Sequence, residues 1–308
     1  MTASERPRRD RRDVLAVPRR LRMEPAVVAG LARRLTGRDR RLLDLLYEHR
    51  VLTTAQITQV AFGTDRYTRR RLTILYAYRA VDRFRPFHPR GGSAPWHYVL
   101  DEAGALIVAQ ARGTTARELP FRRDRAMEIA LSPTLAHTIA VNGFFAALTA
   151  VARRESAADL TVWWTERQCR RAWPDGIRPD GYGRWRITVG GAARETDFFL
   201  EYDRGTETLT RVAAKLDGYA DLAGRTGYRT PVLFCLPGPG REQALRPLIG
   251  GATVPVATTT AALAGLIEPG RPPEPLPEGG PAGLVWLPVG ARQRVRLADL
   301  APHPGRPW

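Results

Sequence analysis

LLDLLYEHRVLTTAQITQVAFGTDRYTRRRLTILYAYRAVDRFRP, residues 42–86, decides how the front of this chain folds. Leu42, Leu43, Leu45, Leu46 and Tyr47 form an apolar stripe at helical spacing that begins near Thr36 and ends near His49-Arg50. Thr53 followed three residues later by Gln56 is a capping-box start, since each side chain can satisfy an orphan backbone N–H of a first turn. Ile57, Val60 and Phe62 then supply a buried face. Gly63-Thr64-Asp65 makes a turn, and a third helix runs from 66 to about 79. On that helix Leu72, Leu75 and Tyr76 share one face, and Arg66, Arg70 and Thr73 fall on the opposite one.

Three short helices with a tight turn before the most basic one predict a helix-turn-helix, whose last helix enters the major groove of DNA. Arg66, Arg70 and Thr73 would meet base edges there, and Arg69 and Arg71 flank them at positions suited to phosphates. Two β-rich runs, 81–87 and 96–100, surround the Gly-rich turn His88-Pro89-Arg90-Gly91-Gly92-Ser93, which reads as a hairpin. In this position the hairpin is expected to be the wing of a winged helix, with Arg83 on its first strand and Arg90 near its tip. A solvated basic helix beside an unrelated hairpin is the plainer alternative, and winged helices also serve as protein-binding modules. Eight arginines between Arg66 and Arg90 favour DNA.

The charge distribution points the same way. Residues 1–125 carry 27 Arg against 13 acids, a balance of +14, whereas residues 126–308 carry 21 basic and 18 acidic side chains, a balance of +3. Such asymmetry suits a polyanionic partner at the front half, with nucleic acid leading. Residues 1–30 form a basic Arg- and Pro-rich arm expected to be disordered. Nothing behind that arm has the apolar core of a secretory signal, and no run approaches the roughly 18–20 apolar residues of a membrane span. Cys169 and Cys235 lie far apart without metal-ligand spacing, which argues against zinc and for a reducing, cytoplasmic compartment.

The winged helix is expected over 31–112 and a polar linker over 113–133. An α/β domain with a central mixed sheet follows over 134–267, then a Pro/Gly-rich segment at 268–308, so the fold class is α+β. In the α/β part a helix covers about 135–151, with strands at 160–165, 184–189 and 196–202. A helix at about 207–223, a strand at 231–236, a helix from about 239 and a strand near 253–257 come next, and a strand-like segment at 284–289 ends the series. No Walker loop, Rossmann fingerprint or serine-hydrolase elbow occurs.

Asp180 lies just before the second of these strands, and Glu201 and Asp203 lie at the end of the third, on one face by strand alternation. Adjacent strands can bring Asp180 beside Glu201. Converging carboxylates repel unless a cation such as Mg²⁺ sits between them, so Asp180, Glu201 and Asp203 are the candidate metal ligands. Lys215 is the only lysine among 48 basic side chains. It shares a helix face with Arg211 and Tyr219 and is placed to stabilise charge on an attacked phosphate. Two further side chains admit two readings each. His137 is either a helix-start hydrogen-bonding residue or a ligand, and Glu166 either a solvated strand end or one more carboxylate.

These features resemble the PD-(D/E)xK nuclease superfamily, with its α-β-β-β-α-β core, a Pro-Asp near strand two and an acid-x-Lys at strand three. Pro179-Asp180 and Glu201 match as they stand. Asp203 occupies the place of the motif's lysine, and Lys215 on the next helix would fill that role. The resemblance implies a restriction-endonuclease-like domain with Asp180, Glu201, Asp203 and Lys215 as catalytic residues. Taken whole, the chain also resembles the replication-relaxation family of actinobacterial plasmids and integrative elements. The matching stretches are 42–86, WHYVLDEAGALIV (96–108), LAHTIAVNGFFAAL (135–148) and DFFLEYDRGTETLTRVAAKLDGYADL (197–222). That likeness implies a role on double-stranded DNA in replication or relaxation, with a replication initiator or relaxase as partner. Three functions follow: a DNA-binding accessory factor, a Mg²⁺-dependent endonuclease or nickase using the same carboxylates, and a transcriptional regulator.

Overall fold

Capping residues set where the first helices start. Thr36 accepts from the Asp39 backbone N–H and Asp39 accepts from that of Thr36, which opens α2 (Gly37–His49). Thr53 and Gln56 make the same reciprocal pair at the head of α3 (Thr54–Ile57). A π-helical turn over Thr58–Phe62 extends α3 and ends at Gly63, whose φ of 79° suits a residue without a Cβ. The chain then enters α4 (Asp65–Ala77). Ahead of these lies α1 (Pro25–Arg34).

These elements come from a computed structural model that describes residues 24–86, 94–115, 117–174, 176–266 and 278–300. The expected wing tip with Arg90, and most of the N-terminal arm, lie outside the described residues. Strands β1 (Leu52–Thr53), β2 (Val81–Phe84) and β3 (His97–Leu100) form an antiparallel sheet in the order β1-β3-β2. The helix α5 (Glu102–Ala111) follows β3 and packs on α2. Leu42, Leu43, Leu72 and Leu75 are fully buried in this unit, as their helical spacing predicts.

The stretch read as a polar linker carries structure of its own. Arg123, in α6 (Arg123–Glu128), reaches Asp82 at 2.5 Å and Asp101 at 3.2 Å. A 3₁₀ turn over Ile129–Leu131 brings Ile129 against Val51, Phe84 and Val99. The two halves are therefore joined by buried contacts as well as by the chain.

The second half is built on α7 (Leu135–Ala152), β4 (Ala158–Thr165), α8 (Glu166–Ala172), β5 (Gly181–Val189), β6 (Ala192–Tyr202), α9 (Leu209–Thr226), β7 (Val232–Leu236), α10 (Pro239–Leu245), β8 (Val256–Thr260) and β9 (Leu287–Pro288). The six strands lie in chain order, antiparallel from β4 to β6, parallel from β6 to β8, and antiparallel again at β9. The class is α+β with a mixed sheet, as expected. Strands β5 and β6 run longer than the sequence pattern suggests, because Gly190 and Gly191, both at positive φ, close them into a tight hairpin. The segment at 166–172 is a helix rather than loop, since Thr165 and Gln168 form a third capping box. Described residues of the C-terminal segment, 278–300, pack into the same unit, where Trp286 is fully buried.

Helix α7 is the one element among the described residues long and apolar enough to cross a membrane, and half of it is buried inside this fold. It is apolar all round because both sides are covered. Phe144 and Phe145 pack on the sheet, where Gly181 and Gly183 leave no room for a Cβ against the Phe145 ring. Toward the first half, Gln56 donates to the Ile139 carbonyl at 2.7 Å and Asn142 donates to those of His49 and Val51 at 3.1 and 2.8 Å. Arg153 donates to the Gln59 and Ala61 carbonyls of the π-helical turn.

Candidate functional site

The β5–β6 register sets Gly181 opposite Leu200, which places Asp180 beside Glu201. Helix α9 crosses over between the parallel strands β6 and β7 and turns Lys215 and Tyr219, one turn apart, back toward Glu201. Lys215 Nζ donates to Glu201 Oε2 at 2.8 Å and the Tyr219 hydroxyl donates to Glu201 Oε1. His137, from the first turn of α7, meets Asp180 Oδ1 at 2.8 Å, and Asp180 Oδ2 accepts the Tyr202 backbone N–H at 2.7 Å. Asp203 lies just past β6, where its oxygens accept from the Gly205 backbone and from Arg241.

All four expected residues, Asp180, Glu201, Asp203 and Lys215, line one cavity of about 350 Å³, together with His137, Arg204 and Glu207. Glu201 is 2% exposed. Burial, and then the charge of Asp180, push its carboxyl up to about 7, against the pull of Lys215 and Tyr219. Burial works against the charge on Lys215, but Glu201, Asp180 and Glu207 outweigh it and hold the ammonium above the ordinary lysine range. Burial likewise opposes protonation of His137, and Asp180 reverses the sign, so that imidazole is raised above its usual value. Burial and the neighbouring Glu201 drive the Tyr219 hydroxyl well upward, which keeps it a donor. The cavity thus pairs acid with base, Glu201 with Lys215 and Asp180 with His137, and Lys215 also lies 3.6 Å from Glu207.

A Mg²⁺ site at Asp180, Glu201 and Asp203 was expected. Each of their six oxygens already accepts from a donor of the protein, and among the described residues no group of three His, Cys, Asp or Glu side chains is arranged to hold a metal ion. Mg²⁺ demands a near-octahedral set of oxygens. A cation would have to compete with Lys215 and His137 for Glu201 and Asp180, whose oxygens each hold one hydrogen bond as the site stands.

On α4 the expected DNA-contacting residues divide. Arg66, Arg69 and Arg70 are exposed, with Arg69 paired to Asp65 at 2.7 Å on the surface. Thr73 is half-buried and its hydroxyl donates to the Arg69 carbonyl. Arg71 departs from the expectation of a phosphate contact. Its guanidinium lies across the fully buried Asp39 carboxylate at 2.7 and 2.9 Å and also donates to the Arg34 carbonyl. Burial opposes ionisation of Asp39, and the Arg71 and Thr36 hydrogen bonds override it, holding the carboxyl below its usual value. Arg83 is likewise enclosed, 4.6 Å from the Tyr76 ring centre and 4.2 Å from that of Trp96. Arg85 stacks on Trp96 too.

His137, Tyr219 and Arg241 complete the hydrogen bonds of the three carboxylates, and none of them was among the expected catalytic residues. Tyr219 had a signal, its i+4 spacing from Lys215. His137 was open to reading as a ligand and Arg241 had no signal; they lie 43 and 38 residues from the carboxylates they hold. A family profile described as Replication-relaxation matches residues 43–234, the span from α2 into β7. No curated protein and no solved structure matches the chain.

Proposed function

The chain belongs to the replication-relaxation family, and on that premise we propose that it binds double-stranded DNA in plasmid or mobile-element replication or relaxation, through a winged helix-turn-helix at 31–112. The observation that carries this is the two-faced character of α4, with Arg66, Arg69 and Arg70 in solvent and Leu72 and Leu75 fully buried. The order α2-β1-α3-α4-β2-β3 supports it, since a winged helix needs its recognition helix directly before the strands of the wing. Arg66 and Arg70 serve the base edges with Thr73 beside them, and Arg69 serves a phosphate. Arg71 and Arg83 brace this surface from behind. A replication initiator or relaxase as partner and a cytoplasmic setting belong to the same proposal. The test is anisotropy titration with duplex DNA of the parent replicon, where Arg70→Ala weakens binding by roughly 1–3 kcal/mol and relaxes sequence preference. Unchanged affinity removes α4 as the reading element.

The shared cavity favours a second reading, in which the α/β domain at 134–267 is a PD-(D/E)xK-like nuclease. Its support is Lys215, which reaches Glu201 from α9 although the strand position holds Asp203. Supercoiled DNA incubated with Mg²⁺ or Mn²⁺ tests it on an agarose gel. Nicking by the wild type, lost in Asp180→Ala and Lys215→Ala, establishes it; DNA left intact in both metals returns the protein to an accessory role.

A further inference from the structure

His49, Arg50 and Val51 form a γ-turn at the seam between the two halves. Arg50 sits at φ 69° and ψ −44°, and the Val51 N–H donates to the His49 carbonyl at 2.8 Å. A side-chain-bearing residue holds this strained conformation only where its surroundings over-determine it, and such strain gathers at ligand sites. Asn142 supplies the constraint through its paired bonds to the carbonyls of His49 and Val51. The His49 ring is buried and stacks on Trp163 at 3.8 Å, and among the described residues its Nδ1 has no hydrogen-bond partner. A buried polar atom without a partner is costly, and His49 is one of the residues lining a neighbouring cavity.

That cavity exists. It measures about 400 Å³, lies between the first half and the sheet, and is lined by His49, Arg50, Asn142, Arg167 and Arg170. Its charges are unevenly committed. Glu48 is taken by Arg112 and Arg167, and Asp180 by His137, which leaves Arg50 and Arg170 without an ion-pair partner among the described residues, against Glu166 alone. Thr134, His137 and Asp180 also line the acidic cavity, so the two spaces share a wall. Pockets for single organic ligands run from roughly 300 to 1,000 Å³. This one admits a nucleotide and is too small for a base pair with both backbones.

We infer that the interdomain cavity binds one nucleotide of an unpaired DNA strand, its phosphate held by Arg50 and Arg170. The inference rests on the DNA-binding role proposed above and adds a second, single-strand-specific site to it.

The experiment titrates the full chain with a fluorescein-labelled oligothymidylate, with a duplex of equal length and with thymidine monophosphate. Two variants run alongside: Arg50→Gln with Arg170→Gln, and Arg66→Ala with Arg70→Ala. All four side chains are exposed, so the melting temperature should hold in both. The cavity variant should lose single-strand affinity by about tenfold or more and keep its duplex affinity, and the α4 variant should do the reverse. Wild type that binds duplex without binding the oligothymidylate overturns this inference alone, as does a cavity variant with unchanged single-strand affinity or with equal losses on both probes. Tighter binding of thymidine monophosphate than of the oligonucleotide assigns the cavity to a free nucleotide and overturns the strand assignment. Wild type that binds neither DNA removes the DNA role and the inference together.

Discussion

The solvent face of α4 and the cavity around Glu201 use their charges in opposite ways. On α4, Arg66, Arg69 and Arg70 extend into water, where the one surface ion pair, to Asp65, is worth little. Around Glu201 the charges face one another, with Lys215 on Glu201, His137 on Asp180 and Arg241 on Asp203. The first arrangement leaves a field for an external polyanion, and its affinity must fall with salt. The second neutralises itself and is fixed before any ligand arrives, as a preorganised site has to be. Neighbouring residues of one helix show both uses at once: Arg70 is exposed, and Arg71 is locked on Asp39.

That contrast breaks most easily at Arg71. Arg71→Ala strands a fully buried carboxylate and should destabilise the protein by about 3 kcal/mol in urea unfolding, whereas Arg70→Ala should stay within about 0.5 kcal/mol. Equal effects would erase the distinction between the two arginines. Next in size, Arg66→Ala with Arg70→Ala should cost about 2 kcal/mol of duplex affinity and flatten the salt dependence; a slope identical to wild type would mean that other residues meet the phosphates. Asn142→Ala removes the bonds that clamp α7 to the γ-turn, for a loss of about 1–2 kcal/mol, and should let the two halves unfold in separate steps by calorimetry. A single sharp transition would show that Gln56 and Arg153 suffice.

A further effect concerns pH. Glu201 is raised in the folded chain to about 7, above its value of 4.5 when unfolded. Its contribution to stability is therefore complete below pH 4.5 and is lost as pH rises through about 7. His137 is also raised, so its contribution fades with rising pH as well, from its unfolded value of 6.5 upward. Glu201→Gln should flatten the stability profile between about pH 4.5 and 7 and leave the His137 part intact. A profile unchanged by the substitution would show that Lys215 holds Glu201 ionised throughout.

Much of the scaffold was legible in the chain because its signals are local. The Thr53–Gln56 box, the turn at Gly63 and the Leu72/Leu75 face all act within a few residues, and each stands where the pattern put it. The grouping of Asp180, Glu201 and Lys215 was legible for a related reason, since strand alternation and helix periodicity already aim them together. Boundaries moved where pairing partners decide length, as in the β5–β6 hairpin. The linker gained a helix because Arg123 finds Asp82 and Asp101, which no window of sequence contains together.

By itself, then, the sequence determined the order of the principal helices and strands, the basic front half, the two-sided α4 and the carboxylate–lysine group, all set by periodicity, capping and composition. Only the tertiary structure decided which charges remain available. Arg71 and Arg83 are drawn inward by Asp39 and by two aromatic rings, Asp203 is taken by Arg241, and His137 joins Asp180 across 43 residues of chain. A charge removed from water must find a partner wherever the fold offers one, and sequence separation places no limit on where that partner lies.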